Sequence, residues 1–204
     1  MNEKLQKLVL SAMFLAIGII LPFFTGQIPK IGQMLLPMHI PVILCGFICG
    51  WQYGAMTGFV LPLMRFFMLQ KPPMPTAAFM AFELCTYGLL TGIVYSRLMN
   101  LPIGHGSSGN KNNDGTPKKK YMLLLYITLI ITMLGGRAVN GIVEAAFYGF
   151  SGTPYTFEMF MAASFTNAFP GIILQFILIP TVMAVLDRLG LLKFKSAGKG
   201  TENI

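Results

Sequence analysis

The fold is decided by the stretch Leu36-Pro-Met-His-Ile-Pro-Val-Ile-Leu-Cys-Gly-Phe-Ile-Cys-Gly-Trp-Gln-Tyr-Gly54, which is almost wholly apolar. It contains one histidine, His39, two prolines, and glycines at positions 46, 50 and 54. Small residues four positions apart allow helices to approach each other closely inside a membrane. The stretch is therefore predicted to pack tightly against other helices and to present His39 to a ligand.

The whole chain has the composition of an integral membrane protein. Its 204 residues are 54% hydrophobic and only 11% charged, whereas about a quarter of the residues in a soluble domain are charged. The mean hydropathy is +0.66. Since a membrane-spanning helix needs about 20 apolar residues, there is room for about six. We predict an all-α integral membrane protein in which residues 1–204 form a single membrane domain.

Apolar runs separated by polar or proline-containing segments predict the individual spans. These are residues 5–24, 36–50, 55–69, 76–95, 121–148 and 166–189. Glycines and aromatic residues at 50–54 predict a turn, so the second and third spans form a hairpin that either crosses the membrane twice or is re-entrant. The fifth span is predicted to bend at Gly135-Gly136 and the sixth to kink at Pro170 and Pro180.

The polar segments and the positive charges predict the orientation. Residues 100–120 are rich in Gly, Ser, Asn and Lys, which predicts a flexible loop, and residues 191–204 form a basic tail. With six spans, these segments and both termini share one side, and the other side receives only Lys30 and Lys71. Cytoplasmic loops carry the excess of Lys and Arg, so the loop, the tail and both termini are predicted to be cytoplasmic. The net charge of +8 is explained in this way without nucleic acid as a partner.

Polar residues within the spans fall mostly in the outer halves. The candidate substrate-binding residues are His39, Arg65, Glu83, Tyr87, Arg137, Asn140, Glu144 and Asn167, and Gln175 lies two turns below Asn167 on the same side. Charged groups inside a membrane are costly and usually face a cavity or one another. Their shared depth predicts one pocket that is lined by several helices and opens to the outside.

Structural roles are the alternatives for these residues. Two candidate ion pairs are Arg65 with Glu83 and Arg137 with Glu144. Because Arg137 and Glu144 are seven residues apart, pairing of each with another helix is favoured over pairing with each other. His39 would alternatively cap a helix or bond to a carbonyl group. Asn167, shortly before Pro170, would alternatively begin a helix.

Catalytic motifs are absent from the sequence. It has no nucleophile elbow, no His-Glu-x-x-His motif and no phosphate-binding loop. The chain is therefore predicted not to be an enzyme, to need no cofactor or metal, and not to use ATP itself. An intramembrane metalloenzyme with His39 and Glu83 or Glu144 as ligands is the least favoured alternative. Cys45, Cys49 and Cys85 are interpreted as small packing residues.

Size, topology and two motifs resemble the substrate-binding S components of energy-coupling factor (ECF) vitamin transporters. Ala12-x-x-x-Ala16 is similar to the small-residue motif through which S components dock on their coupling subunit. The segment at residues 36–51 is similar to the second span of vitamin-uptake members. The resemblance implies a multi-pass protein of the bacterial plasma membrane that captures a vitamin or vitamin precursor from outside with high affinity. It would then dock on a membrane coupling subunit with two ATPases and release the substrate inside, as part of an ABC-type importer.

The resemblance also implies where the substrate binds. Family sites use the loop after the first span and the outer parts of the fourth to sixth spans, and these regions here hold Glu83, Tyr87, Asn140, Glu144 and Asn167. Arg137 is a further candidate, Arg65 lies outside that set, and His39 is expected at the rim. Pantothenate-type members are the most similar, while riboflavin, thiamine, folate and niacin stay open because the charges suit either an anion or a cation. A stand-alone secondary transporter driven by an ion gradient is the alternative, and it would need inverted repeats or a carboxylate at the midplane.

Overall fold

The computed structural model describes residues 2–25, 36–100, 119–150, 156–162 and 168–188. The regular structure in these ranges is helical throughout. The helices are α1 (Glu3–Thr25), α2 (His39–Cys49), α3 (Trp51–Leu69), α4 (Thr76–Asn100), α5 (Lys119–Phe150), α6 (Phe157–Met161) and α7 (Phe169–Arg188). Residues 101–118 of the predicted loop and the predicted tail at 191–204 lie outside the described residues.

Four of these helices, α1, α4, α5 and α7, are long and apolar enough to cross a membrane. Helix α2 has 11 residues, which gives it a length of about 16 Å, roughly half of the hydrocarbon core of a bilayer. The chain is thus a membrane protein whose described regular structure is all helical, and six spans with cytoplasmic termini stay a prediction.

The turn between α2 and α3 is shorter than the sequence predicted. Gly50 alone leaves the helical conformation, with φ 97° and ψ 175°, and α3 begins at Trp51. A positive φ of this kind favours glycine, which has no Cβ to clash with the backbone. The two helices fold back on each other, since Gly46 and Gly54 meet across the turn. The predicted hairpin is therefore present, but it turns at one residue instead of five.

Glycines bring α2, α3 and α4 into backbone contact. A Cβ at Gly54 would lie 2.8 Å from the Gly46 Cα and 2.8 Å from the Gly88 carbonyl oxygen. A Cβ at Gly58 would meet the backbone of Leu84, and one at Gly92 would meet the backbone of Trp51. These contacts run in opposite directions along the two chains, so α3 and α4 pack antiparallel. The spacing of four therefore serves close helix packing, as predicted.

The stretch that contains α2 lies at the centre of the bundle. Every residue of α2 except Ile48 is buried. Its apolar side chains join a core with residues of α4, α5 and α7, including Leu84, Leu129 and Ile179. Helix α1 packs on α2 and α3, and α7 approaches α2 and α5. These contacts keep His39, the first residue of α2, buried inside the protein.

Helix α5 is continuous over 32 residues and passes through Gly135-Gly136 without a break. At Gly135-Gly136, where the sequence predicts a bend, the helix is therefore not interrupted. The two glycines instead make room for side chains of α4, since Gly135 faces the Leu90 side chain and Gly136 faces the Tyr87 ring. They set the distance between α4 and α5 at the level of the polar residues described next.

Candidate functional site

A buried cluster of four polar side chains joins α2, α4 and α5. The Glu83 carboxylate of α4 lies 3.3 Å from the Arg137 guanidinium of α5 and 3.5 Å from His39 Nε2 of α2. The Tyr87 ring, one turn along α4, meets the His39 imidazole edge-on with 5.0 Å between the ring centroids. The exposed fractions are 4% for Glu83, 1% for His39, 6% for Arg137 and 0% for Tyr87. The site is therefore a desolvated charge cluster, in which one carboxylate faces two basic side chains.

Helical spacing explains how these residues come together. Positions 83 and 87 are four residues apart and share one face of α4. The missing side chain at Gly136 leaves space for the Tyr87 ring, and Tyr87 Oη donates a hydrogen bond of 3.4 Å to the Met133 carbonyl. The Tyr87 side chain thereby ties α4 to α5 directly beside the Glu83–Arg137 pair.

Helix α5 extends the polar surface beyond Arg137. Asn140 follows at i+3 and is buried, and Glu144 lies one turn further and is partly exposed. Asn140 Nδ2 donates a hydrogen bond of 3.1 Å to Glu144 Oε1. The two side chains continue the cluster along the same face of α5, as the sequence predicted.

The structure pairs the charges differently from the ion pairs considered in the sequence. Glu83 pairs with Arg137, instead of Arg65 with Glu83. Arg65 points towards the start of α2, where its Nη1 lies 3.4 Å from the Met38 sulfur. Its guanidinium also lies 5.9 Å from the centre of the Phe23 ring of α1. Among the residues that the structure describes, Arg65 has no carboxylate partner.

His39 is buried, although the sequence placed it at the rim of the site. Its imidazole is 1% exposed, and it contacts Glu83 and Tyr87. It is the first residue of α2, but its side chain caps no helix and bonds to no carbonyl group among the described residues, because both of its ring nitrogens lack a hydrogen-bond partner. His39 therefore belongs to the centre of the cluster.

Gln175 of α7 is a buried polar residue that the predicted substrate-binding set did not include. It is 1% exposed, and its amide nitrogen and amide oxygen are both buried without a hydrogen-bond partner in the part of the chain that the structure describes. The signal in the sequence was a lone amide in the middle of an otherwise apolar helix. Asn167, which was predicted to act near Gln175, lies outside the described residues.

Within the described residues, no three His, Cys, Asp or Glu side chains come together as a metal site would require. The cluster offers polar groups that are shielded from water and free to bond to a ligand. Among the described residues, Arg137 Nη2, Glu83 Oε1 and the ring nitrogens of His39 lack hydrogen-bond partners. Buried groups of this kind bind strongly to a ligand that supplies the missing donor or acceptor.

Comparison with known protein families identifies the class of protein. The family described as "ECF transporter, substrate-specific component" matches residues 6–183. The chain belongs to this family. It is therefore a substrate-specific component of an ECF transporter, a membrane transport subunit and not an enzyme. Searches of curated proteins and of solved structures found no match.

Membership of this family bears on the role of the buried cluster. A substrate-specific component must hold a small molecule, and the match spans the three helices that build the cluster, α2, α4 and α5, together with most of α1 and α7. The resemblance stated from the sequence is thus confirmed at the level of the family. The residues that contact the substrate, and the substrate itself, stay predictions.

Proposed function

We propose that this S component captures a vitamin or vitamin precursor at the polar cluster of His39, Glu83, Tyr87 and Arg137, extended by Asn140 and Glu144, and that Asn167 is a further contact of the substrate. Pantothenate is the favoured substrate. The observation that carries the proposal is the desolvated cluster itself, in which Arg137 Nη2, Glu83 Oε1 and the ring nitrogens of His39 make no hydrogen bond within the described part of the chain. Unsatisfied buried polar groups destabilise a fold by about 1–3 kcal/mol each, so their retention fits a role in binding.

The proposal includes a bacterial plasma-membrane location, six spans and cytoplasmic termini. In this orientation the cluster lies towards the outside, from which the substrate arrives. Helix α7 carries the unpartnered Gln175, and it would supply a further contact to the substrate. The proposed cycle ends with docking on a coupling subunit with two ATPases, which drives release inside.

Substrate capture is tested by purifying the protein from cells in mild detergent and identifying retained small molecules by mass spectrometry. We expect one vitamin-like compound in about equimolar amount. Titration calorimetry of the emptied protein with that compound should then give tight binding without ATP. Absence of any retained or binding vitamin would contradict the proposal. Uptake into liposomes that contain this chain alone would support the ion-coupled alternative instead.

The proposed docking surface is the open face of α1. Ala12 and Ala16 are exposed on one side of this helix, and large exposed side chains surround them, including Met13 at 56% and Ile20 at 53%. The opposite side of the helix packs on the bundle through residues such as Gly18, which faces Leu61 of α3. Two small residues amid larger ones form a shallow groove that suits a partner helix.

Replacing Ala12 and Ala16 by Trp is expected to block docking while substrate binding persists. The indole rings would fill the groove, and a loss of about 1.4 kcal/mol in docking energy would lower docking about tenfold. The measurement is ATP-driven uptake in liposomes with the coupling subunit and its ATPases, together with ligand binding by the isolated protein. Leu123→Trp is the control, because Leu123 of α5 is 59% exposed on a different helix. Normal uptake by the double Trp variant would contradict the docking role of α1.

A further inference from the structure

Buried polar groups around the candidate site differ in the charges that face them. Each carboxylate has a basic or amide group beside it, since Glu83 faces Arg137 and His39 and Glu144 accepts from Asn140. Among the described residues, Arg137 Nη2, Arg65 Nε and Glu83 Oε1 are buried without a hydrogen-bond partner. Unused hydrogen-bonding capacity is therefore present on donors and acceptors alike, and the charge partner is what distinguishes one group from another.

Arg65 is the cation in this region whose charge has no counterpart. Its neighbours are a thioether, Met38, and an aromatic ring, Phe23, and among the described residues none of its contacts is an anion. Arg137, by contrast, lies 3.3 Å from Glu83. A half-buried guanidinium without an anion is costly in a membrane protein, and such groups mark ligand or ion sites.

Arg65 lies about two helical turns from the Glu83 carboxylate, near the start of α2. It contacts Met38, the residue directly before His39. Along the antiparallel α3–α4 pair, Gly58 is level with Leu84, so Arg65 lies about 10 Å further along α3, two helical turns beyond the level of the Glu83 carboxylate. A small molecule that reaches from the cluster to Arg65 would thus need a polar group at each end.

We infer that the substrate is a monocarboxylate and that Arg65 is the residue that selects for its negative charge. This inference rests on the proposed function and names the substrate class for the same site. Arg guanidinium and carboxylate form paired, charge-assisted hydrogen bonds. One unmatched cation calls for one negative charge, whereas a phosphate monoester carries about −1.5 to −2 at neutral pH. A cationic substrate would add to the unmatched charge of Arg65 and would have to compete with Arg137 for Glu83.

The test uses acids and neutral analogues of the same shape. The probes are pantothenate with panthenol, nicotinate with nicotinamide, and biotin with its primary amide, and thiamine and riboflavin represent cationic and neutral vitamins. Binding to the purified full chain in lipid nanodiscs is measured by titration calorimetry. We expect one acid to bind, and its neutral analogue to bind about tenfold to a hundredfold more weakly, which corresponds to one charge-assisted hydrogen-bonded contact.

Variants of Arg65 test whether this residue causes the preference for acids over their neutral analogues. Arg65→Gln should lower the acid-to-neutral affinity ratio about tenfold or more, and Arg65→Lys should restore part of it, because the charge returns without the paired geometry. Lys71→Gln is the matched control, since Lys71 is an exposed cation two residues after the end of α3. It should leave the ratio unchanged. The ratio is independent of the fraction of folded protein, so a general folding defect does not imitate the effect.

The outcomes separate this inference from the proposed function. Tightest binding of thiamine, riboflavin or a neutral analogue overturns the monocarboxylate inference and leaves the proposed function standing. An unchanged acid-to-neutral ratio in Arg65→Gln overturns the role of Arg65. Failure of every probe to bind overturns both the inference and the proposed capture of a vitamin.

Discussion

Replacing Glu83 by Gln is expected to destabilise the protein by about 3–5 kcal/mol, the range found when one partner of a buried ion pair is removed. The change preserves the shape of the side chain but removes the only carboxylate beside Arg137 among the described residues. Arg137 is 6% exposed and would retain its charge without a counterion. The proposed substrate site would be lost with the packing of α2, α4 and α5 around it.

Unfolding of the purified protein in detergent measures this effect. Glu3→Gln is the control, because it breaks a Glu3–Lys7 ion pair of 2.6 Å at the exposed start of α1, where pairing contributes little to stability. Its unfolding transition should match that of the original protein. The double variant Glu83→Gln with Arg137→Gln should recover much of the lost stability, because both buried charges are then gone. Equal stability of Glu83→Gln and the original protein would show that the Glu83–Arg137 ion pair is not needed for the stability of the fold.

The membrane class and the long helices could be predicted from the sequence, because both depend on local hydrophobicity. Spans predicted at 76–95 and 121–148 correspond to α4 and α5, which extend further by a few residues at one or both ends. The glycine spacing also predicted close packing correctly, since Gly46, Gly54 and Gly88 meet. The periodicity of a helix and the volumes of the side chains are enough to predict these features.

The arrangement of the candidate site could be predicted only in part. Helical spacing placed Glu83 with Tyr87, and Arg137 with Asn140, on shared faces. Which arginine faces Glu83 depends on the rotation and register of separate helices, and one sequence does not specify these. His39 was placed at the rim because it begins a span, whereas α2 is short and surrounded by other helices. The depth of a residue in the protein therefore depended on how helices pack around it, and not on its position along a span.

Replacing Gly88 by Ala is expected to lower the stability by about 3 kcal/mol, the upper part of the range for overpacked interiors. The new methyl group would overlap the backbone carbonyl of Gly54. Because that obstacle is backbone, relief requires α3 and α4 to move apart, which would also disturb the contact of Gly54 with Gly46 of α2. The loss would outweigh the gain of about 1 kcal/mol that Ala usually gives over Gly inside a helix.

Two other glycines provide a graded comparison for Gly88→Ala. A methyl group at Gly135 would meet the end of the Leu90 side chain, and one at Gly149 would meet nothing within 4 Å. Leu90 can rotate away, so Gly135→Ala should cost less than Gly88→Ala, and Gly149→Ala should be neutral or stabilising through helix propensity. Unfolding in detergent and the yield of monodisperse protein measure the series. Equal stability of all three variants would mean that α3 and α4 do not pack through their backbones, and the position of Glu83 beside Arg137 would then need another explanation.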